Sequence, residues 1–129
     1  MNKEDHFKEK FKQALISTVK VISEDYKIYN NKKIVEESLK ISDLENIKDK
    51  KELVKLRAET DSEALKIKFS NKKILEKNIP SKPSCRSLYN ISEKIRYELL
   101  GSEMLKGISK NFYENYQYKI YKVKENKIE

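Results

Sequence analysis

Two glycines, two prolines, one cysteine, one histidine and no tryptophan serve a chain of 129 residues. Each scarcity excludes something. A single cysteine, Cys85, can form neither an internal disulfide nor a thiolate metal cluster. With no histidine nearby in sequence, it is expected to be a buried or half-buried structural residue and not a nucleophile. His6 has no second histidine or cysteine at ligand spacing and is expected on the surface. Both glycines, Gly101 and Gly107, fall in one stretch, IRYELLGSEMLKGISKNF, and neither opens a phosphate-binding loop. No apolar run is long enough to cross a bilayer. The opening MNKEDHFKEKFKQ has no apolar stretch of signal-peptide length. The expectation is a cytoplasmic protein with no membrane partner. No internal repeat is present.

What the chain has in abundance is charge. Charged residues make up 39% of it, and the formal net charge is +8. Such a balance raises nucleic acid as a partner. Against that, Arg57, Arg86 and Arg96 are the only arginines, and lysine, asparagine and isoleucine are all frequent. This skew fits an A+T-rich coding sequence, so the excess reads as a solvated surface and not as a phosphate-binding footprint. The competing view rests on the terminal run YQYKIYKVK, whose interleaved tyrosines and lysines could stack bases and contact phosphates. It makes the chain a small basic helical nucleic-acid-binding protein.

Hydrophobic periodicity organises the rest. Over residues 3–23, Phe7, Phe11, Ala14, Leu15, Thr18, Val19 and Ile22 recur at three- and four-residue steps, as on one face of a helix. YKIYNNKKIV, within 24–48, places β-branched and aromatic residues on both sides of Asn30-Asn31, which leaves room for a short hairpin. Over 49–70, Leu53, Leu56, Thr60, Ala64 and Ile67 form a second stripe, edged by Val54, Leu65 and Phe69. A short helical segment, 72–77, precedes IPSKPS, where Pro80 stops a helix and Pro83 can open one. Over 83–113, Leu88, Ile91, Ile95, Leu99, Leu105, Ile108 and Phe112 mark the expected buried face of the longest helix. The predicted fold is mainly α: a compact bundle of three long helices and one short helix, with a small β-hairpin after the first as an option. Residues 1–112 form the domain, and 113–129 read as a basic aromatic tail or a linker.

Two features need a physical reason. A glycine inside a helix costs about 1 kcal/mol relative to alanine. Gly101 and Gly107 therefore mark either a close helix crossing or a helix end, with Gly107 the better candidate for a break. The only alanines, Ala14, Ala58 and Ala64, also sit on helices, which fits tight crossings. The second feature is charge at helix spacing. Arg57 and Asp61 are four apart and share a face. Arg96 and Glu98 flank Tyr97 beside the apolar stripe. They allow an inter-helix ion-pair network, or they are ordinary solvated helix charges that contribute little.

These residues also form a pattern. RAETDSEAL supplies Arg57, Asp61, Ala64 and Leu65. Leu75 and Pro80 follow, then Arg96, Glu98, Gly101, Lys106, Gly107, Ile108 and Asn111. This order resembles the R-G-x-x-D-x-x-A-L, L-x-x-x-x-P and V-R-x-E-x-x-G-x-x-x-M-x-G-V-x-x-N elements of the N-terminal region of the CobT-type subunit of aerobic cobaltochelatase. FKQALISTVKVIS is similar to that family's first helix. Ala58 stands where the family usually has glycine, Ile95 replaces valine, and Met104 lies one place early. The resemblance runs to about residue 112.

The resemblance implies a role in aerobic cobalamin biosynthesis, where cobalt(II) is inserted into the corrin ring of hydrogenobyrinic acid a,c-diamide. The complex uses ATP, Mg2+ and Co2+. A large tetrapyrrole-binding chelatase subunit holds the insertion site, and a MoxR-type AAA+ ATPase supplies the drive. The CobT-type subunit couples the two, which implies no catalytic, cofactor-binding or metal-binding residue in this chain. The expected structural network is Arg57, Asp61, Ala64, Arg96, Glu98, Gly101, Gly107 and Asn111. Partner contacts are expected on the polar residues of the last long helix and at the Pro80–Pro83 loop. The family usually continues into an acidic linker and a von Willebrand factor A-like domain with a D-x-S-x-S site. That motif does not occur here, so the expectation is a fragment of the subunit or a truncated relative.

Overall fold

A computed structural model describes residues 2–23 and 47–127. They form five helices: α1 (Lys3–Ser23), α2 (Lys50–Phe69), α3 (Lys72–Asn78), α4 (Pro83–Met104) and α5 (Lys106–Asn126). Among the described residues there is no strand. The hairpin expected around Asn30-Asn31 lies outside them. No described helix is long and apolar enough to cross a membrane.

Local chemistry sets the helix ends. Asp49 caps α2 by accepting from the Glu52 N–H at 3.0 Å, and the Glu52 carboxylate accepts from the Lys48 N–H at 2.6 Å. This reciprocal pair resembles a capping box and satisfies one open N–H of the first turn together with the N–H just before the cap. Asn71 caps α3 by accepting from the N–H groups of Lys73 and Ile74. Pro83 sits in the first turn of α4, where its missing N–H costs nothing. Two acidic residues in the first turn of α1, Glu4 and Asp5, favour its positive end.

α2 is the hub, packing against α1, α4 and α5. The core draws Leu15, Val19 and Ile22 from α1, and Leu56, Ala58, Ala64 and Leu65 from α2. Tyr97 comes from α4, and Ile108 and Phe112 from α5. Because three helices surround α2, its middle is buried almost all round, and Thr60, Asp61 and Ser62 go inside with the apolar residues. Each polar group is satisfied. The Thr60 hydroxyl donates to the Leu56 carbonyl at 2.8 Å, and no described buried side-chain N or O lacks a partner. Ala14, by contrast, is exposed and makes no crossing.

Three expectations change. First, the long 83–113 pattern is broken at Leu105, an extended residue at φ −139° that caps α4 with its N–H on the Gly101 carbonyl. The break falls between the glycines, two residues before Gly107, and the chain turns back into α5. Second, residues 113–126 continue α5 as helix, with Asn115 buried beside Phe112 and Lys51 Nζ 5.6 Å from the Tyr118 ring centre.

Third, α4 is turned over. The stripe Leu88, Ile91, Ile95 and Leu99 is 66%, 56%, 52% and 60% exposed. The buried face is Tyr97, Glu98 and Gly101. Specific pairings on that face outweigh the general attraction of the stripe, which burial in this fold does not reach. Cys85 lies in the same exposed N-terminal half of α4 and is itself exposed, not buried as its residue type suggested.

A cleft over Asp61 as the candidate functional site

Gly101 and Gly107 have opposite surroundings. A Cβ added at Gly101 would lie 2.3 and 2.5 Å from the two methyl carbons of Leu65, so α4 and α2 cross closely here and any larger residue forces a shift. A Cβ at Gly107 would meet nothing within 4 Å. One glycine is a packing residue, and the other leaves open space.

The crossing is fastened by Glu98. Its Oε1 accepts from the Ser62 hydroxyl at 2.6 Å, and its Oε2 accepts from the Tyr116 hydroxyl, also at 2.6 Å. Lys94 Nζ stands 3.8 Å from Oε1. One buried carboxylate thus ties α4 to both α2 and α5. Burial, reinforced by the hydrogen bond to Glu98, raises the Tyr116 phenol well above the usual tyrosine range. Burial also raises Tyr97.

Arg96 faces elsewhere. Its guanidinium donates to both Glu93 oxygens at 2.6 and 2.9 Å, and to the Phe69 carbonyl at 2.8 Å. Ser70 donates to Glu93 at 2.7 Å. The Arg96 hydrogen bond, above all, lowers Glu93 to about 2. This cluster pins the end of α2 to α4 and is half-exposed. Two links therefore run from α4 to the hub: the buried Ser62–Glu98 hydrogen bond at its middle and the half-exposed Arg96 cluster at its end.

The remaining residues converge on an open cleft. Asp61 is buried, and its Oδ2 accepts from the Asn111 amide at 2.8 Å. Around it lie Arg57, Gly107 and Asn111, with Thr18, Ile22 and Ile108 completing a cleft of about 400 Å³ between α1, α2 and α5. A second hollow of about 450 Å³ shares Arg57, Gly107 and Asn111 and extends toward Phe11, Lys110 and Glu114. The bare Gly107 thus stands on the rim of both, beside the exposed Arg57. Ala64 is fully buried below in the core. Among the described residues, no group of three or more His, Cys, Asp and Glu side chains could hold a metal ion. His6 is exposed on α1.

Residues 57–61 and 107–111 meet here although some fifty positions separate them. They are residues of the ordered pattern noted in the sequence. The family model described as "Cobalamin biosynthesis protein CobT" matches residues 5–129. The chain belongs to the CobT family. Its place is therefore in cobalamin biosynthesis. Neither a curated protein nor a solved structure matches the chain. The CobT match extends past residue 112 through α5, whose Tyr116 closes the Glu98 fastening. Sequence reasoning missed Ser62 and Tyr116. Ser62 is hidden between Asp61 and Glu63 in an ordinary polar run, and Tyr116 lies in a stretch read as tail.

Asp61 carries a testable pH signature. Burial raises its carboxyl above the usual value of 3.8, opposed by the Asn111 hydrogen bond and the Arg57 charge. A carboxyl raised in the folded state costs stability as pH climbs through its folded value, and that cost disappears below the unfolded value. Asp61→Asn keeps an acceptor for Asn111 and removes the charge. It is expected to match or exceed the native protein at pH 7, by up to about 1 kcal/mol. The difference should close as pH falls toward 3.8. Urea midpoints at pH 7 and pH 4 measure it, and a less stable variant at pH 7 would contradict this assignment.

Proposed function

We propose that the chain is a non-catalytic assembly and coupling module of an ATP-dependent cobaltochelatase subunit. It acts in inserting cobalt(II) into the corrin ring of hydrogenobyrinic acid a,c-diamide. In this reading Co2+ is the substrate of the complex, and ATP with Mg2+ is used by a MoxR-type AAA+ ATPase partner. A large tetrapyrrole-binding subunit holds the insertion site.

The observation that carries the reading is the Asp61 cleft. Family-pattern residues from α2 and α5 meet on an open concave surface, and the surface is built on the most buried helix of the fold. A docking face set on a rigid hub can pass a partner's movement to the rest of the bundle, whereas one on a loose loop would absorb it. Arg57 is exposed at the rim and offers a planar five-donor group to a partner's carboxylate or carbonyl. Asp61 and Asn111 hold the wall behind it.

Two substitutions test this. Arg57→Glu reverses the rim charge, and Gly107→Phe fills the open space on the rim. Both leave core residues untouched, so the circular dichroism spectrum should not change. Each is expected to weaken binding to the ATPase subunit or the large chelatase subunit by at least about tenfold, or roughly 1.4 kcal/mol. Folded variants that bind both subunits as tightly as the native chain would remove the cleft from the interface.

A further inference from the structure

The exposed stripe of α4 is a second surface, separate from the Asp61 cleft. Leu88, Ile91, Ile95 and Leu99 follow steps of three, four and four, which sets them in one apolar row along a helix face. α5 carries a matching row: Tyr113, Tyr116, Ile120 and Val123 are 67%, 36%, 49% and 54% exposed, at steps of three, four and three. The Glu98–Tyr116 hydrogen bond brings the two rows together. Ile95 and Leu99 flank Glu98 on α4, and Tyr113 and Ile120 lie one turn to either side of Tyr116 on α5. Two neighbouring helices therefore present apolar rows beside one seam.

We propose that this α4–α5 face is where two copies of the chain associate. Three observations favour a second copy as the occupant. The first is charge. The chain carries +8, so two copies repel across most of their surfaces. Among the described helices α4 alone is balanced, with Arg86, Lys94 and Arg96 matched by Glu93, Glu98 and Glu103. α5 keeps five lysines against two glutamates, so charge favours α4 at the centre of the contact. Its stripe is bordered by Ser84, Ser92 and Ser102, so like charges need not meet at its centre.

The second is self-complementarity. A twofold contact sets the same patch against itself, and two such apolar helix rows can interdigitate ridge into groove in that way. Two antiparallel helices meeting two more would complete a four-helix arrangement, with the α4 stripes at its centre and the α5 aromatic residues at its margins. The third is size. Helices of 22 and 21 residues are each about 30 Å long and about 10 Å wide, which gives a face on the order of 600 Å². A stable dimer takes roughly 600–1,000 Å² from each partner.

Sedimentation velocity and light scattering on the full chain test this, from about 1 to 100 μM. The native chain should approach twice its 15.3 kDa mass as concentration rises. Ile95→Asp should weaken association by at least about 30-fold, while Ile95→Leu should leave it intact. Ile91 and Ile95 are both exposed, so the fold should survive substitution at either, and circular dichroism checks that it does. Ile91→Asp should repeat the effect of Ile95→Asp. Arg57→Glu, in the separate cleft, should leave the dimer unchanged. A native chain that stays monomeric at 100 μM overturns the proposal, whatever else covers the face. A dimer that survives both aspartate variants overturns it as well.

Discussion

Gly101→Leu is expected to destabilise the protein by at least about 3 kcal/mol, and Gly107→Ala to stabilise it by up to about 1 kcal/mol. The two glycines lie six residues apart and look alike in sequence. Their surroundings separate them. Leu65 is fully buried, and its three nearest carbons would stand 2.3, 2.5 and 2.9 Å from a new Cβ at position 101. It has no solvent to swing into, so Leu65 must repack within the core or α4 must move away from α2. Movement of α4 also stretches the Ser62–Glu98 bond nearby. Even Gly101→Ala should cost about 1 kcal/mol net, because the overpacking exceeds the gain in helix propensity. At Gly107 no neighbour opposes the added methyl, and only the gain remains. Urea midpoints with unchanged slopes measure both. Leu65→Ala should cost about 2–5 kcal/mol alone and much less in the Gly101→Leu background. Equal shifts for Gly101→Ala and Gly107→Ala would contradict the close crossing.

Glu98→Ala is expected to cost about 3 kcal/mol. It removes two hydrogen bonds to a carboxylate and strands two hydroxyls. Ser62→Ala and Tyr116→Phe should each cost about half as much, and each should add little once Glu98 is gone. Three single variants and two double variants give the cycle. Alkaline titration supplies an independent readout. Burial and the Glu98 bond hold the Tyr116 phenol in its protonated form where an ordinary tyrosine ionises. Removing Glu98 should bring that titration back toward the normal range. If Ser62→Ala and Glu98→Ala proved additive, Glu98 would not be the tie between α2, α4 and α5.

Much of this architecture was readable from residue spacing. The stripes of α1 and α2, the stop at Pro80 and the start at Pro83 all follow from local rules. α4 shows where such rules end. Its apolar row is the strongest periodic signal on the helix, yet Glu98 and Gly101 decide which face goes inside. Their partners, Ser62, Tyr116 and Leu65, are distant in sequence, and no local pattern pairs them. The break at Leu105 has no breaker residue. Leucine there adopts an extended backbone because the chain must turn Ile108 and Phe112 onto α2. The charged pairs show the same limit: Arg96 found a partner one turn away in Glu93, and Asp61 found an amide on another helix. The ordered pattern of Arg57, Asp61, Gly107 and Asn111 did mark residues that the fold assembles at one cleft.

The proposed function has this CobT-family chain work by docking a protein partner. The most direct measurement is a titration of the folded chain, at physiological salt, against the MoxR-type ATPase subunit and, in parallel, against single-stranded oligonucleotide. Saturable micromolar binding to the ATPase subunit, lost in Arg57→Glu, is expected, with only weak, steeply salt-dependent binding to the oligonucleotide. Tight oligonucleotide binding with no affinity for the ATPase subunit would contradict it.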